Sequence, residues 1–121
     1  GLMFMTSRNT RISSGGEFPK IIDKARAYLQ DSVESDISMP EVAAYLNMSY
    51  TTFRHAFKKY TGQSPAQYFI NLKLHRAKEM LRGTTASVKE ISYILHFESP
   101  EYFATAFRKK TGMSPSEFRK A

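Results

Sequence analysis

Apolar side chains along most of this chain recur at spacings of three and four residues, the period of a helix buried on one face. From Phe18 onward one such stripe consists of Ile21, Ile22, Ala25, Tyr28 and Leu29, with Pro19 in the first turn. This stripe predicts a first helix that ends near Asp31. Strand-like alternation does not interrupt the pattern, so the sequence predicts an all-α protein.

Polar start and stop signals divide the remaining chain into six further helices. Ser38 with Glu41, and Ser87 with Glu90, have the spacing of a capping box. Ser49 is a further N-cap, and three Ser-Pro pairs begin at Ser64, Ser99 and Ser114. Glycines at 62, 83 and 112 follow apolar-periodic segments and are predicted to end helices. The longest helix is predicted from Pro65 to about Arg82.

An internal repeat indicates how these helices are arranged. Aligning residues 49–65 with residues 99–115 gives nine identities in seventeen positions. Upstream the offset falls from 50 to 49, so the turn is one residue longer in the second copy. Each copy has the pattern helix, tight turn, helix, which predicts two helix-turn-helix subdomains joined by a long linking helix, in a homeodomain-like arrangement of seven helices.

These features define the predicted domain organisation. Residues 1–17, rich in Ser, Thr and Gly, are interpreted as a flexible linker or an added leader. Residues 18–121 form the folded domain, with a first unit at about 18–63, the linking helix at 65–82 and a second unit at about 87–120. The missing initiator Met suggests that the chain is one piece of a larger protein.

The charge of the chain is positive and unevenly placed. Eighteen Lys and Arg against eleven Asp and Glu give a net charge of +7. Residues 1–48 carry five basic and six acidic side chains, or −1, whereas residues 49–121 carry thirteen and five, or +8. A polyanion is therefore the expected partner, and it should meet the second part of the chain.

Helix-turn-helix units place their second helix in the major groove of double-stranded DNA. The predicted base-contacting residues are Tyr50, Thr51, Thr52, Arg54 and His55 in the first copy, and Pro100, Glu101, Ala104 and Thr105 in the second. The predicted phosphate-contacting residues are Ser49, Lys58, Lys59, Ser99, Arg108, Lys109 and Lys110. The first copy has more long hydrogen-bonding side chains, so it is expected to carry more of the sequence reading. For any single lysine, a solvated face suited to the helix dipole is the alternative.

The sequence gives little support for single-stranded nucleic-acid binding, catalysis or metal binding. The Phe pairs 53/57 and 103/107 could stack on single-stranded bases, but their helical period favours a core role. No cysteine is present, and His55, His75 and His96 fall in three different elements. We therefore predict no catalytic residue, no metal site, no cofactor and no enzyme activity. The absence of a membrane span or a secretory signal points to the cytoplasm.

The segment from Ile91 to Arg119 resembles the signature of the AraC/XylS family of bacterial transcription regulators. Its Tyr-Phe, Phe-Arg-Lys-Lys, Gly, Ser-Pro and Phe-Arg elements follow the family pattern, and the resemblance extends over about Phe18 to Lys120. It implies two recognition helices in successive major-groove segments, contact with RNA polymerase, and a separate effector-binding, dimerising or receiver domain. Two positions depart from the pattern: His96 replaces the usual turn Gly, so it would have to adopt a positive φ, and Lys73 replaces an Arg of the linking helix.

The sequence thus predicts sequence-specific binding of double-stranded promoter DNA. One chain should read an asymmetric site whose two major-groove contacts are roughly 34 Å apart. Within the same class, the alternatives are the output domain of a two-component response regulator and a stand-alone small activator. An alternative from another class is a protein-interaction module that uses its basic face.

Overall fold

The computed structural model describes residues 17–121, and all its regular elements are helices. The seven helices are α1 (Glu17–Asp31), α2 (Met39–Tyr45), α3 (Tyr50–Thr61), α4 (Pro65–Gly83), α5 (Val88–Ile94), α6 (Pro100–Thr111) and α7 (Pro115–Lys120). The predicted all-α, seven-helix class is confirmed. Residues 1–16, most of the predicted leader, lie outside the described residues.

Serine caps begin the short helices as the spacing predicts. At α2 the Ser38 hydroxyl accepts from the Glu41 N–H at 3.3 Å, and the Glu41 carboxylate accepts from the Ser38 N–H at 2.7 Å. The same reciprocal pair joins Ser87 to Glu90 at the start of α5. A third capping box links Ser114 with Glu117 at the start of α7. Each box satisfies two backbone N–H groups that the helix itself leaves without an acceptor.

Helices α3 and α6 end in the same way. Gly62 and Gly112 each follow the last helical residue with φ +84°, the left-handed conformation. The preceding threonine hydroxyl donates to the carbonyl four residues earlier, Thr61 to Phe57 and Thr111 to Phe107, both at 2.8 Å. The repeat in the sequence is therefore a repeat in backbone geometry.

Gly83 differs from the other two predicted terminators because it is the last residue of α4 itself. The Thr84 N–H and the Thr84 hydroxyl both donate to the Met80 carbonyl, at 3.0 and 2.7 Å. The Arg119 guanidinium donates to the Leu81 carbonyl at 2.9 Å. These bonds satisfy the carbonyls of the last turn, so no left-handed glycine is needed there.

The turns inside the two helix-turn-helix motifs correspond as well. Asn47 and His96 have φ of +59° and +56°, and the next residue closes each turn: Met48 N–H donates to Ala43 O and Phe97 N–H to Ser92 O. Residues 46–49 separate α2 from α3, and residues 95–99 separate α5 from α6, which confirms the longer second turn. His96 does adopt the positive φ that the family resemblance implied.

The chain divides into two compact units. The first contains the described residues up to Leu29 together with Ile37–Gln67, and the second contains Gln30–Asp36 together with Tyr68–Ala121. In the first unit most of the buried apolar residues come from α1, α2 and α3, and they include Ile22, Leu29, Val42, Phe53 and Phe57. In the second they include Leu74, Leu81, Ile91, Leu95, Phe103, Phe107 and Phe118.

The Phe pairs lie in these cores. Phe53 and Phe57 meet edge to face with centroids 5.6 Å apart, and Phe103 and Phe107 do so at 5.8 Å. All four are fully buried, which confirms the core role and removes them as base-stacking platforms. Ile94, which the periodicity groups with Ile91 and Leu95, is instead exposed, and Ser92 is buried. Burial of Ser92 is possible because its hydroxyl donates to the Lys89 carbonyl at 2.8 Å.

Within residues 17–121, no helix combines the length and the apolar character that a membrane span requires.

Candidate nucleic-acid interface

Helix α3 presents one polar face to solvent while its phenylalanines anchor the opposite face. All the residues predicted to contact bases from this helix are exposed: Tyr50, Thr51, Thr52, Arg54 and His55. Because Phe53 and Phe57 are fully buried, the helix cannot rotate about its axis without exposing them. The core of the first unit therefore sets which α3 side chains face outward.

Arg54 is held over a neighbouring ring without being buried. Its guanidinium carbon lies 5.9 Å from the centroid of Tyr50, one helical turn earlier. This cation–π contact orders the side chain on the exposed face. A guanidinium in that position can donate both N–H groups of one edge to O6 and N7 of a guanine.

The start of α3 contains a local hydroxyl pair. The Ser49 hydroxyl accepts from the Thr52 N–H at 3.1 Å and donates to the Thr52 hydroxyl oxygen at 2.9 Å. Thr52 can then donate its own hydroxyl proton to an acceptor outside the protein, such as a base edge or a phosphate. Ser49, predicted to contact phosphate, acts in this structure as the N-cap of α3.

A second part of the α3 surface faces an open groove. Thr52, His55, Ala56 and Lys59 line it together with Phe18 and Tyr60, and its volume is about 270 Å³. Helical spacing puts Thr52, His55 and Lys59 on this flank, whereas Tyr50, Arg54 and Lys58 follow one another along the neighbouring flank. The predicted reading residues of the first copy thus occupy two adjacent stripes of one helix.

Helix α6 presents a different chemistry at the equivalent positions. Glu101 and Thr105 are exposed, and Pro100 and Ala104 are half-buried. The Glu101 carboxylate lies in the first turn, where the helix dipole favours an anion, and it can accept from the amino group of cytosine. Ser99, predicted to contact phosphate, is half-buried, and its hydroxyl accepts from the Tyr102 N–H at 3.0 Å.

Tyr102 is a candidate that the sequence reasoning missed. It is 41% exposed and lies on α6 at the position that Thr52 occupies on α3. Its ring also contacts Phe97, with centroids 6.2 Å apart. The repeat alignment carries the signal, because Tyr102 aligns with Thr52, a predicted base-contacting residue, at an offset of 50.

Cations collect at the C-terminal ends of both candidate helices. Lys58 and Lys59 lie in the last turn of α3, and Arg108, Lys109 and Lys110 in the last turn of α6. All five are exposed. Two acidic residues of the second unit lie in helix caps: the backbone N–H groups of Ser87 and Ser114 lower the pKa of Glu90 and Glu117, respectively. The positive charge of Arg108 also lowers the pKa of Glu117.

The remaining histidines are not part of α3 or α6. His75 is exposed on α4, as predicted, with its Nε2 atom 3.8 Å from Glu79. His96 is exposed in the turn before α6. Across residues 17–121, His, Asp and Glu form no cluster of three that could hold a metal ion.

Comparison with known proteins shows which family has this architecture. The family model for a helix-turn-helix domain matches residues 42–121. The transcriptional activator RhaS of Enterobacter sp. strain 638 is 33% identical over 98 residues, which are 81% of this chain. Among solved structures, the DNA-binding domain of the transcription factor AdpA in complex with a target DNA superposes with a TM-score of 0.77 at 27% identity, covering 82% of this chain and 89% of that one.

A regulator from Chromobacterium violaceum with an AraC-type DNA-binding domain superposes with a TM-score of 0.78 at 26% identity, over 84% of this chain and 91% of that one. The chain belongs to the AraC/XylS family of helix-turn-helix transcription regulators. Its function is sequence-specific DNA binding in the regulation of transcription. The chain spans about a third of the length of its curated relatives, 35% in the case of RhaS.

Proposed function

We propose that α3 and α6 are the two recognition helices of one chain and that each reads one major-groove segment of a bacterial operator. The observation that supports this assignment best is the duplicated geometry. Each helix has a serine N-cap, a pair of fully buried phenylalanines, a left-handed glycine end and exposed cations in its last turn. A helix-turn-helix unit binds DNA by placing its second helix in the major groove, and this chain contains two such units.

The two helices have different reading roles in this proposal. Helix α3 reads bases through Thr51, Arg54 and His55, whose donors suit guanine and phosphate oxygens. Helix α6 carries a carboxylate and fewer long donors, so it contributes more through its cationic end and through the shape of the duplex. Ser49, Lys58, Lys59, Ser99, Arg108, Lys109 and Lys110 are assigned to phosphates in this scheme.

The domain boundaries and the larger protein are part of the same proposal. Residues 18–121 form the DNA-binding domain, with units at about 18–63 and 87–120 and a linking helix at 65–82. Because the chain spans 35% of the length of RhaS, we place it in a longer regulator with an effector-binding, dimerising or receiver domain. RNA polymerase is the expected partner of an activator of this kind, and the cytoplasm is the compartment where such DNA is bound.

The first experiment selects a duplex from a random pool with the wild-type chain and measures affinity for it by fluorescence anisotropy. A scrambled duplex of equal length and composition supplies the non-specific affinity. Arg54→Ala should lower the preference for the selected duplex by about 1–3 kcal/mol at one base position, because it removes a base-edge donor. Lys109→Ala should weaken both duplexes by the same factor, because a phosphate contact carries no sequence information.

Lys20→Ala, which removes an exposed charge from α1, is the matched control and should leave the ratio of the two affinities unchanged. Equal losses on both duplexes for Arg54→Ala and Lys109→Ala would contradict the division between base and phosphate contacts. If the wild-type chain shows no duplex preference and no salt dependence of binding, the DNA-binding proposal fails and the result favours a protein-interaction module.

A further inference from the structure

Lys73 places an ammonium group inside the second unit. The residue is only 9% exposed, although it belongs to the middle of α4. Its Nζ atom lies 4.6 Å from the ring centroid of Phe69 and 5.5 Å from that of Phe97. The same atom donates a hydrogen bond to the backbone carbonyl of His96 at 3.3 Å. The side chain thus runs from α4 to the turn between α5 and α6.

Burying this cation is unfavourable by itself. Burial lowers the pKa of Lys73, and the negative charge of Asp36 opposes this shift. Shielding an ammonium group from water is unfavourable, and the partner interactions seldom return more than this cost. An apolar side chain of the same length would suit the site at least as well for stability, so the cation calls for another explanation.

The carbonyl that Lys73 binds belongs to the strained residue of the turn. His96 has φ +56°, a conformation that disfavours a side chain with a Cβ. The corresponding residue of the first copy is Asn47, whose short polar side chain can hydrogen-bond locally in the left-handed region. The second turn is also one residue longer, so it has more conformational freedom to lose. A fixed donor on its carbonyl holds this turn in one conformation.

This turn determines where α6 begins. Phe97, the residue after His96, is buried and stacks on Phe103 of α6 with ring centroids 4.9 Å apart. The Lys73 ammonium group also lies against the Phe97 ring, 5.5 Å from its centroid. A substitution at Lys73 can therefore alter the position of α6 through the His96 turn and the Phe97–Phe103 pair. It does not need a contact between Lys73 and the exposed face of α6.

We propose that Lys73 is a positioning residue for DNA recognition: from α4 it holds the His96 turn and thereby sets the orientation in which α6 meets the duplex. The proposal rests on the assignment of α6 as a recognition helix. It predicts that the cation serves the accuracy of base reading at the α6 half of the site more than it serves the stability of the fold.

The test compares Lys73→Met, which keeps the length and removes the charge, with Lys73→Arg, which keeps a cation. Lys78→Met removes an equal charge from a half-buried position of α4 and is the control. For each protein we would measure thermal unfolding, affinity for the selected and the scrambled duplex, and the base preference at every position of the selected duplex. Thr105→Ala and Arg54→Ala identify the positions read by α6 and by α3.

Lys73→Met should unfold at the wild-type temperature or above it, and its ratio of selected to scrambled affinity should fall about tenfold, the cost of one mismatched base pair. Base preference should be lost at the duplex positions that Thr105→Ala affects and kept at those that Arg54→Ala affects. Lys73→Arg should restore most of the ratio. Lys78→Met should weaken both duplexes equally or leave both unchanged.

Three results would overturn the proposal. In the first, Lys73→Met keeps the full affinity ratio. In the second, it loses preference evenly over the α3 and α6 positions. In the third, both Lys73→Met and the neutral donor variant Lys73→Gln are unfolded, which would make the role of Lys73 purely structural. A wild-type chain without any duplex preference would instead refute the assignment of the recognition helices.

Discussion

Four residues of the described chain have a positive φ, and the repeat pairs them: Asn47 with His96, and Gly62 with Gly112. The two glycines end α3 and α6, where a left-handed residue lets the next N–H groups reach the last carbonyls. A Cβ at either glycine would meet no atom within 4 Å. The requirement for glycine at these positions is therefore a property of the backbone and does not come from crowding.

Gly112→Ala should destabilise the protein by about 1–2 kcal/mol, because alanine must adopt the left-handed conformation there. Gly83→Ala is the matched control. Gly83 is helical, has an ordinary φ and also has open space around its Cα. Alanine there should stabilise the protein by about 0.5–1 kcal/mol, because it lowers the entropy lost on folding. Urea unfolding followed by circular dichroism would measure both changes, and an unaltered midpoint for Gly112→Ala would contradict the argument.

Residue types predict the backbone conformation at His96 but not the burial of the Lys73 side chain. The family pattern implied a positive φ at His96, and the structure confirms it. The sequence marks Lys73 only as a departure from the Arg of the family pattern, and nothing in its immediate neighbours indicates that it is buried. Backbone conformation at a turn follows from local sterics, whereas burial of a long side chain depends on what packs over it.

At the scale of elements, the capping boxes determine where α2, α5 and α7 begin. In α5 and α7 the carboxylates of Glu90 and Glu117 accept from the backbone N–H of the N-cap serine, at 2.8 Å in both cases. This hydrogen bond is the main reason that the pKa of each glutamate lies below its ordinary value of 4.5. Short helices of this kind have little intrinsic stability, so their caps decide whether they form.

The lowered pKa values predict a pH dependence of stability. A carboxyl group whose pKa is lower in the folded state stabilises the fold above its unfolded pKa, and this contribution disappears as the pH falls through the folded pKa. The wild-type chain should therefore lose part of its stability below about pH 4.5 as these two boxes are protonated. The double variant Glu90→Gln/Glu117→Gln keeps amide oxygens as acceptors and should lose less over the same range.

Thermal unfolding between neutral pH and pH 3 would compare the two proteins, with Glu98→Gln as a control that changes an exposed carboxylate outside the caps. The difference in unfolding temperature between wild type and double variant should narrow as the pH falls. Parallel curves over the whole range would show that the boxes make no pH-dependent contribution.

At the scale of the whole molecule, the net charge of +7 has a definite place in the fold. The +8 of residues 49–121 includes the exposed cations at the ends of α3 and α6, while residues 1–48 are close to neutral. Neutralised phosphates release counterions, so the affinity for DNA depends on salt in proportion to the number of contacts. Lys59 and Lys109 occupy equivalent positions in the two units, so substituting each one tests whether both units contribute phosphate contacts.

Lys59→Ala and Lys109→Ala should each reduce the slope of log K against log salt concentration by about 0.9, and the double variant by about 1.8. Anisotropy titrations of the scrambled duplex at several salt concentrations would give the slopes. Lys20→Ala is the control for loss of a charge outside the two helices. If neither single variant changes the slope, the cations are solvent-facing charges matched to the helix dipole, as the alternative interpretation holds.

The sequence alone determined the elements of this protein. Helical periodicity, serine caps and glycine ends involve residues a few positions apart, so these signals survive without any knowledge of the packing. The repeat then predicted two helix-turn-helix units, and the family signature predicted DNA binding, both of which are confirmed. The predicted contact residues of α3 are exposed for the same reason, because the buried Phe53 and Phe57 define the opposite face.

Tertiary structure decided what depends on contacts between distant residues. Residues 30–36 join the second unit, where Glu34 lies 2.5 Å from Arg76, a partner 42 positions away. Arg119 donates to the Leu81 carbonyl at the end of α4 across a similar separation, and α4 ends at Gly83 without a left-handed φ. Ile94 is exposed and Lys73 buried because of the helices and turns that pack around them. Periodicity along one helix cannot report such neighbours, since they come from elsewhere in the chain.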